Sequence, residues 1–512
     1  MKRQSVLSMM LVVLAVVGYD IGMGWADQPK SGGTLRIALE ADITGLDPII
    51  PGLQNYYVMQ NIYNTLVTVD ANFEFVPELA ESWEVQEQGK VYIFHLRQGV
   101  KFHDGTDFDA AAVKWNIERI QQEGKAPPHR FFANVAAAEV VDPHRIKITM
   151  QYPTSTLLSA LSTAGQGLMI LSPAAAKKWG KDVSHHPAGT GPFRFVSWQQ
   201  NRQIVLERNP DYYKSGLPYL DRLEYKVMKE GVTREAALRA GEVDFVNWLP
   251  RVSVKRLAKK ADIKVLSGPE ASHLYTHFNI ARKPFDDKRV RQALMGYGID
   301  RVAIAKAATL GYATPTISFV SPGARGYVDL SEMYPYDPDK ARSLLKEAGF
   351  DTSNPLRYTL MTHSAEPALP DIATIMKTQL AKIGVDVTVE VVDRPIFLKR
   401  LTQTRDFEQN VNMALPFIDV GDRGFVIEVG GLNIPNHNDK KVDAMFEKWR
   451  STADPEAQKQ YGDEVQRYVA DEMLYAAVCG NPIFNAHRAD VEGYTYMRGL
   501  LVKFEQTWLK RS

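Results

Sequence analysis

The chain has a single cysteine, Cys479, among 512 residues, which excludes an intramolecular disulfide. Cys479 follows the apolar run Leu474 to Val478 and reads as a small buried hydrophobe. An excess of one charge is also missing. The 61 basic and 60 acidic side chains leave a formal net charge of +1, so no broad basic face for nucleic acid is expected. Catalytic signatures are absent as well. There is no G-x-S-x-G elbow, no H-E-x-x-H, no phosphate-binding G-x-x-x-x-G-K-[ST] loop and no G-x-G-x-x-G after a strand. Acidic side chains are plentiful, but no pair is marked by spacing for acid/base work. No internal repeat and no low-complexity segment occurs.

What is present begins with a leader. Lys2 and Arg3 precede an apolar stretch from Val6 to Gly18, and Gly24-Trp25-Ala26 ends in small residues where a signal peptidase reads. The apolar stretch is 13 residues, short of the roughly 20 that span a bilayer as a helix. Residues 1–26 are therefore expected to be a signal peptide cleaved near Ala26. No cysteine stands at the junction, so no lipid anchor is expected. The remaining chain has ordinary hydrophobic content and room for two or three domains.

The pattern is α/β. Leu35, Ile37 and Leu39 alternate with polar neighbours as in a half-buried strand. Val91 to Val100 reads as another strand. Asp107 or Asp109 is placed to cap a helix with Val113, Ile117 and Ile120 on one face. Gln121 to His129, with Pro127-Pro128, reads as a surface loop. Asp337-Pro338 opens a helix closed by Gly349. Pro370 opens a second, with its apolar stripe at Ile372, Ile375, Met376, Leu380 and Ile383. Val385, Val387, Val389 and Val391 then follow at period two, which predicts a strand. His273 and His277 fall in an alternating segment, so four strand residues (roughly 13 Å) separate them and one ion cannot bridge them. His185 and His186 are adjacent and point apart. No metal site and no cofactor is expected.

Several ordered blocks carry a resemblance. They are Gly33-Thr34-Leu35-Arg36-Ile37, Leu46-Asp47-Pro48, Pro77-Glu78-Leu79-Ala80-Glu81-Ser82-Trp83, and the run from Phe94 to Gly105. Farther along come Gly189-Thr190-Gly191-Pro192-Phe193, Arg208 to Tyr213, Phe278-Asn279, Pro284 to Leu294, and Tyr336 to Ala341. With these the chain resembles the extracellular solute-binding proteins of the dipeptide, oligopeptide and nickel ABC importers, the large two-lobed type of family 5. Most of the blocks read as structural here: Trp83 and Phe102 as core, Gly99 and Gly105 as turns.

The resemblance implies a periplasmic binding protein fold, with two lobes, an interlobe cleft and an extra subdomain in the first lobe. The implied division gives lobe I residues 27–277 plus 487–512, with the subdomain at about 77–209, and lobe II residues 278–486. Crossings are expected near Thr276 to Asn279 and Ile483 to Arg488. The resemblance also implies ligand contacts. Asp419, in Asp419-Val420-Gly421-Asp422, matches the loop whose carboxylate holds a peptide amine in relatives. Pro416 replaces an expected tryptophan, for which Phe417 is the substitute. Arg423 replaces a proline and is placed either to pair with Asp422 or to hold a ligand carboxylate. Arg394 is a second carboxylate candidate. From lobe I come Asn55, Tyr56, Tyr57 (one tyrosine inward, the other outward) and Arg130.

The expected function is the periplasmic substrate-binding component of an ABC importer. It would be a non-enzymatic monomer that captures a small peptide or peptide-like solute and delivers it to membrane permease subunits. A nickel or metal-chelate receptor of the same fold is the alternative, and a secreted hydrolase is the reading from another class.

Overall fold

The computed structural model describes residues 28–511 except 51, 124–131, 163–166, 269, 417–418, 453 and 497–500. The leader, Arg130 and Phe417 lie outside the described residues.

Three larger sheets, beside two of two strands each, organise the described residues. In the first, Thr34–Leu39 sits between Arg222–Val227 and Phe245–Val246, parallel to both. Leu35, Ile37 and Leu39 are buried, as their alternation predicts. Phe484–Arg488, Ile263–Ser267, Gln203–Arg208 and Phe193–Gln199 complete seven strands. The second sheet has five strands, in the order Asp386–Val391, Arg357–Thr362, Gln409–Met413, His273–Phe278 and Ala476–Gly480. It is covered on both faces. From His273–Phe278, Leu274 and Phe278 enter one core while Tyr275 enters another. The third sheet pairs Ala80–Gln86, Val91–Leu96, Arg145–Met150 and Val135–Asp142, all antiparallel, under the helix Ala110–Glu123. Side chains such as Phe94, Phe132, Phe193 and Phe278 are fully enclosed, each contributing about 1.5–3 kcal/mol of burial.

Local signals placed these elements well. Asp109 Oδ1 accepts from Ala112 N at 2.9 Å, so Asp109 rather than Asp107 caps that helix. Asp337 accepts from Lys340 N at 2.9 Å, with Pro338 at the first helical position. The second helix begins at Ala368, two residues before Pro370. A proline in the first turn loses no intrahelical bond there. Gln121 to Glu123, expected in a loop, continue the helix Ala110–Glu123 instead. Gln121 Nε2 donates to the Phe132 and Val135 carbonyls, which ties the last turn down.

The sheets adjust the expected boundaries. Thr276 to Phe278 lie inside a strand of the five-stranded sheet, and Phe484–Arg488 inside the seven-stranded one. Strands of the two sheets succeed one another at Ser267 and His273, and again at Gly480 and Phe484. Phe193–Gln199 and Gln203–Arg208, within the expected subdomain, hydrogen-bond into the seven-stranded sheet.

Two of the sequence blocks meet. His103 Nε2 lies 3.0 Å from the Gly191 carbonyl, and Gly189 N donates to His103 Nδ1 at 3.4 Å. The turn in turn presses on the end of the helix Leu53–Ile62. A Cβ on Gly189 would stand 2.2 Å from the Ile62 carbonyl oxygen, so only glycine fits.

Candidate functional site

Both large sheets present the carboxyl ends of their parallel strands at the crossing segments. In the first sheet these are the ends of Thr34–Leu39, Arg222–Val227, Phe245–Val246 and Ile263–Ser267. In the second they are the ends of Arg357–Thr362, Asp386–Val391, Gln409–Met413 and Ala476–Gly480. Open α/β sheets bind ligands at such ends, above all where the strand order reverses. In the first sheet that point is Thr34–Leu39, whose two neighbours lie later in the chain on opposite sides.

The first face is aromatic and polar. Trp248, just past Phe245–Val246, donates from Nε1 to Tyr57 OH at 2.6 Å. Its own backbone sits at φ 53°, a conformation that costs about 1 kcal/mol for a non-glycine residue. Asn485 Oδ1 accepts from Trp248 N at 3.4 Å, and Arg234 donates to the Trp248 carbonyl at 3.1 Å, which holds that turn. Glu40, the first residue after its strand, accepts from Gln54 Nε2 at 3.0 Å through Oε1. Its Oε2 is buried with no hydrogen-bond partner. Burial raises the Glu40 pKa, against the Gln54 bond and the Arg234 charge.

On the second sheet a buried polar cluster gathers around Arg423, which is 4% exposed. Its guanidinium lies 5.0 Å from the centroids of both Tyr275 and Tyr475, and Nη2 donates to Tyr475 OH. Tyr475 OH also shares a hydrogen bond with His273, whose other ring nitrogen lies 2.7 Å from Ser321 Oγ. Tyr275 OH accepts from Asn412 Nδ2 at 3.0 Å, and Asn412 Oδ1 lies 3.0 Å from His363 Nε2. Burial holds His273 and His277 neutral, with pKa values well below the usual range, and the nearby Arg423 charge adds to this.

The faces are joined beside the crossings. Arg251, opening the helix Arg251–Leu257, donates to Glu366 Oε1 at 2.7 Å and also to Asn481 Oδ1. Farther out, Ser155 N donates to the Arg450 carbonyl at 2.9 Å, and Gln458 Nε2 to Ser155 Oγ at 2.7 Å.

Of the expected site residues, Tyr57 and Arg423 stand on these faces. Neither tyrosine points outward: Tyr56 and Tyr57 are buried, at 4% and 2% exposure, because the helix Leu53–Ile62 is packed along both sides. Asn55 Oδ1 accepts from Thr44 N at 2.8 Å and holds the loop after the first strand. Asp419 Oδ1 accepts from Gly421 N at 3.0 Å, at the start of the short helix Val420–Gly424. Arg394 is exposed at the head of the helix Arg394–Lys399. His273 and His277 lie on one strand, as read from their alternation. Among the described residues no group of three or more His, Cys, Asp or Glu is placed to hold a metal, and no helix is long and apolar enough to cross a membrane. Cys479 is fully buried and its thiol pKa is pushed up to about 12. Glu40, Trp248, Arg251 and Glu366 were not singled out from sequence. The available signal was position, immediately after strands or at a helix head.

Comparison with known proteins gives a consistent answer. Residues 74–422 match the model described as Bacterial extracellular solute-binding proteins, family 5 Middle. The chain is 30% identical over 487 residues to the glutathione-binding protein GsiB of Salmonella paratyphi A, covering 93% of this chain and 94% of the relative. Among solved structures, AgaA from A. tumefaciens R10, in complex with agropinic acid, superposes with a TM-score of 0.81 at 28% identity, covering 93% and 99% of the two chains. The periplasmic binding protein DppA from Helicobacter pylori, in complex with the peptide STSA, gives 0.80 at 26% identity, covering 94% and 99%.

Proposed function

Because this chain belongs to the family 5 bacterial extracellular solute-binding proteins, and is thus a substrate-binding component of an ABC importer, we propose that it captures a small solute bearing both an amine and a carboxylate between its two large sheets. One observation carries this reading. Arg423, 5.0 Å from the ring centroids of Tyr275 and Tyr475, belongs to a buried polar cluster on the second sheet, while Glu40, Tyr57 and Trp248 gather at the carboxyl ends of the first. Arg423 is assigned to a ligand carboxylate, which a guanidinium meets with paired hydrogen bonds. The amine end is assigned to a carboxylate of the protein. Relatives named for glutathione and crystallised with a short peptide support the same class.

The finer parts of the proposal follow. Residues 1–26 direct export and are removed near Ala26, which releases a monomer into the periplasm. The lobes divide at the crossings, one spanning about 27–272 with 481–512 and the other about 273–480. Closure around the solute creates the shape that permease subunits recognise, and no reaction is catalysed.

A thermal-shift screen tests the ligand class, since a solute that binds only the folded state raises the melting temperature. The panel is reduced glutathione, short peptides, opine-type conjugates, organic acids and nickel–histidine. A rise is expected with the first three groups. A rise confined to nickel–histidine, or to acids without an amine, would refute the proposed class.

A further inference from the structure

Glu40 is a charged group at the carboxyl ends of the seven-stranded sheet that its neighbours satisfy only in part. It follows the strand at which the order of the seven-stranded sheet reverses. One carboxylate oxygen is held by Gln54, while Oε2 is buried without a hydrogen bond. The nearby cation Arg234 does not reach it. Arg234 donates instead to the carbonyls of Met228, Lys229 and Trp248 at 2.9, 2.8 and 3.1 Å. A buried acceptor with no donor costs about 1–3 kcal/mol, more when charged, and persists where something else supplies the donor. Tyr57 feels the Glu40 charge and accepts from Trp248 Nε1 at 2.6 Å, so two aromatic side chains share this end of the sheet with the carboxylate. A carboxylate beside electron-rich rings suits an ammonium group, which gains a charged hydrogen bond and ring contact together.

Resting on the proposed receptor function, we propose that Glu40, and not Asp419, receives the ammonium of the solute. The amine end then lies against the seven-stranded sheet and the carboxylate end at Arg423. Asp419 serves its own loop through the bond from Gly421 N.

The test uses calorimetry on the full mature protein with reduced glutathione, the dipeptide Met-Leu and the peptide STSA, each also in N-acetylated form. Glu40→Gln preserves shape and the bond to Gln54, and Asp419→Asn is the comparison variant. Melting without ligand shows that both variants fold. Wild type is expected to prefer the free amine by about tenfold to a hundredfold, the range for a hydrogen bond to a charged group. Glu40→Gln should lose that preference while binding the acetylated form as wild type does, and Asp419→Asn should keep it. An unchanged preference in Glu40→Gln overturns the assignment and leaves the receptor reading intact. If wild type binds none of the free-amine probes, the proposed ligand class fails and Glu40 with it.

Discussion

Lowering the pH from about 7 to about 4.5 is expected to destabilise the protein, with His103 responsible for a separable part of the loss. His103 is used in its neutral form. Nε2 is aimed at the Gly191 carbonyl and Nδ1 accepts from Gly189 N, so a second proton would remove the acceptor. Burial pulls its pKa down to about 4, against a usual value near 6.5. The unfolded chain therefore binds more protons than the folded one between these values. Stability is fully present above the unfolded pKa and is lost as the pH falls from about 6.5 to about 4. The full shift corresponds to about 3 kcal/mol. Since the ring is partly exposed, about 1–2 kcal/mol is the expected share. His273 and His277, with pKa values lowered by burial, act in the same direction. Glu40 and Glu270 have raised pKa values and act oppositely, losing their contribution as the pH rises. Urea unfolding at both pH values, for wild type and His103→Gln, isolates the term. Wild type should lose more stability on acidification than the variant. Equal losses would show that His103 is not held neutral.

The second large effect is expected at Arg251. Its side chain reaches from the first lobe to Glu366 at 2.7 Å, and the two side chains are 15% and 6% exposed. Arg251→Met leaves the Glu366 carboxylate buried without its cation, a loss of about 3 kcal/mol. Replacing both partners by methionine removes the stranded charge, so Arg251→Met/Glu366→Met should recover most of that stability. The lobes, however, lose their tie in both variants. Small-angle scattering should show a larger radius of gyration for the single and the double variant alike. A double variant no more stable than the single would mean that Glu366 has another counter-charge. An unchanged radius in both would mean that the pair does not hold the lobes together.

These predictions rest on residues of uneven legibility. Local chemistry exposed much of the fold. The cap at Asp337, the valine alternation ending at Val391 and the strand from His273 to Phe278 are each decided within a few residues. Boundaries were less legible. The helix end at Gln121 to Glu123 is secured by carbonyls of Phe132 and Val135 across a connecting segment, which no local signal reveals. Thr276 bonds the Asn410 carbonyl through Oγ1, and that pairing is visible only once the sheet is assembled. The site was the least legible part. Arg423 stood out because it departs from the family pattern. Glu40 looked ordinary, because its setting comes from the bond with Gln54 and from charge interactions with Tyr57 and Arg234, which only the assembled fold brings near. The pair Arg251 and Glu366 is 115 residues apart. One of Tyr56 and Tyr57 was expected outward from neighbour alternation, but the packing of the helix Leu53–Ile62 buries both.

The most direct test is a calorimetric titration with the best solute from the thermal-shift screen, followed by mass spectrometry of the solute released on denaturation. A receptor that closes on one solute gives a stoichiometry of about one per chain and returns the solute chemically unchanged. A product in its place, or binding without a saturable single site, would contradict it.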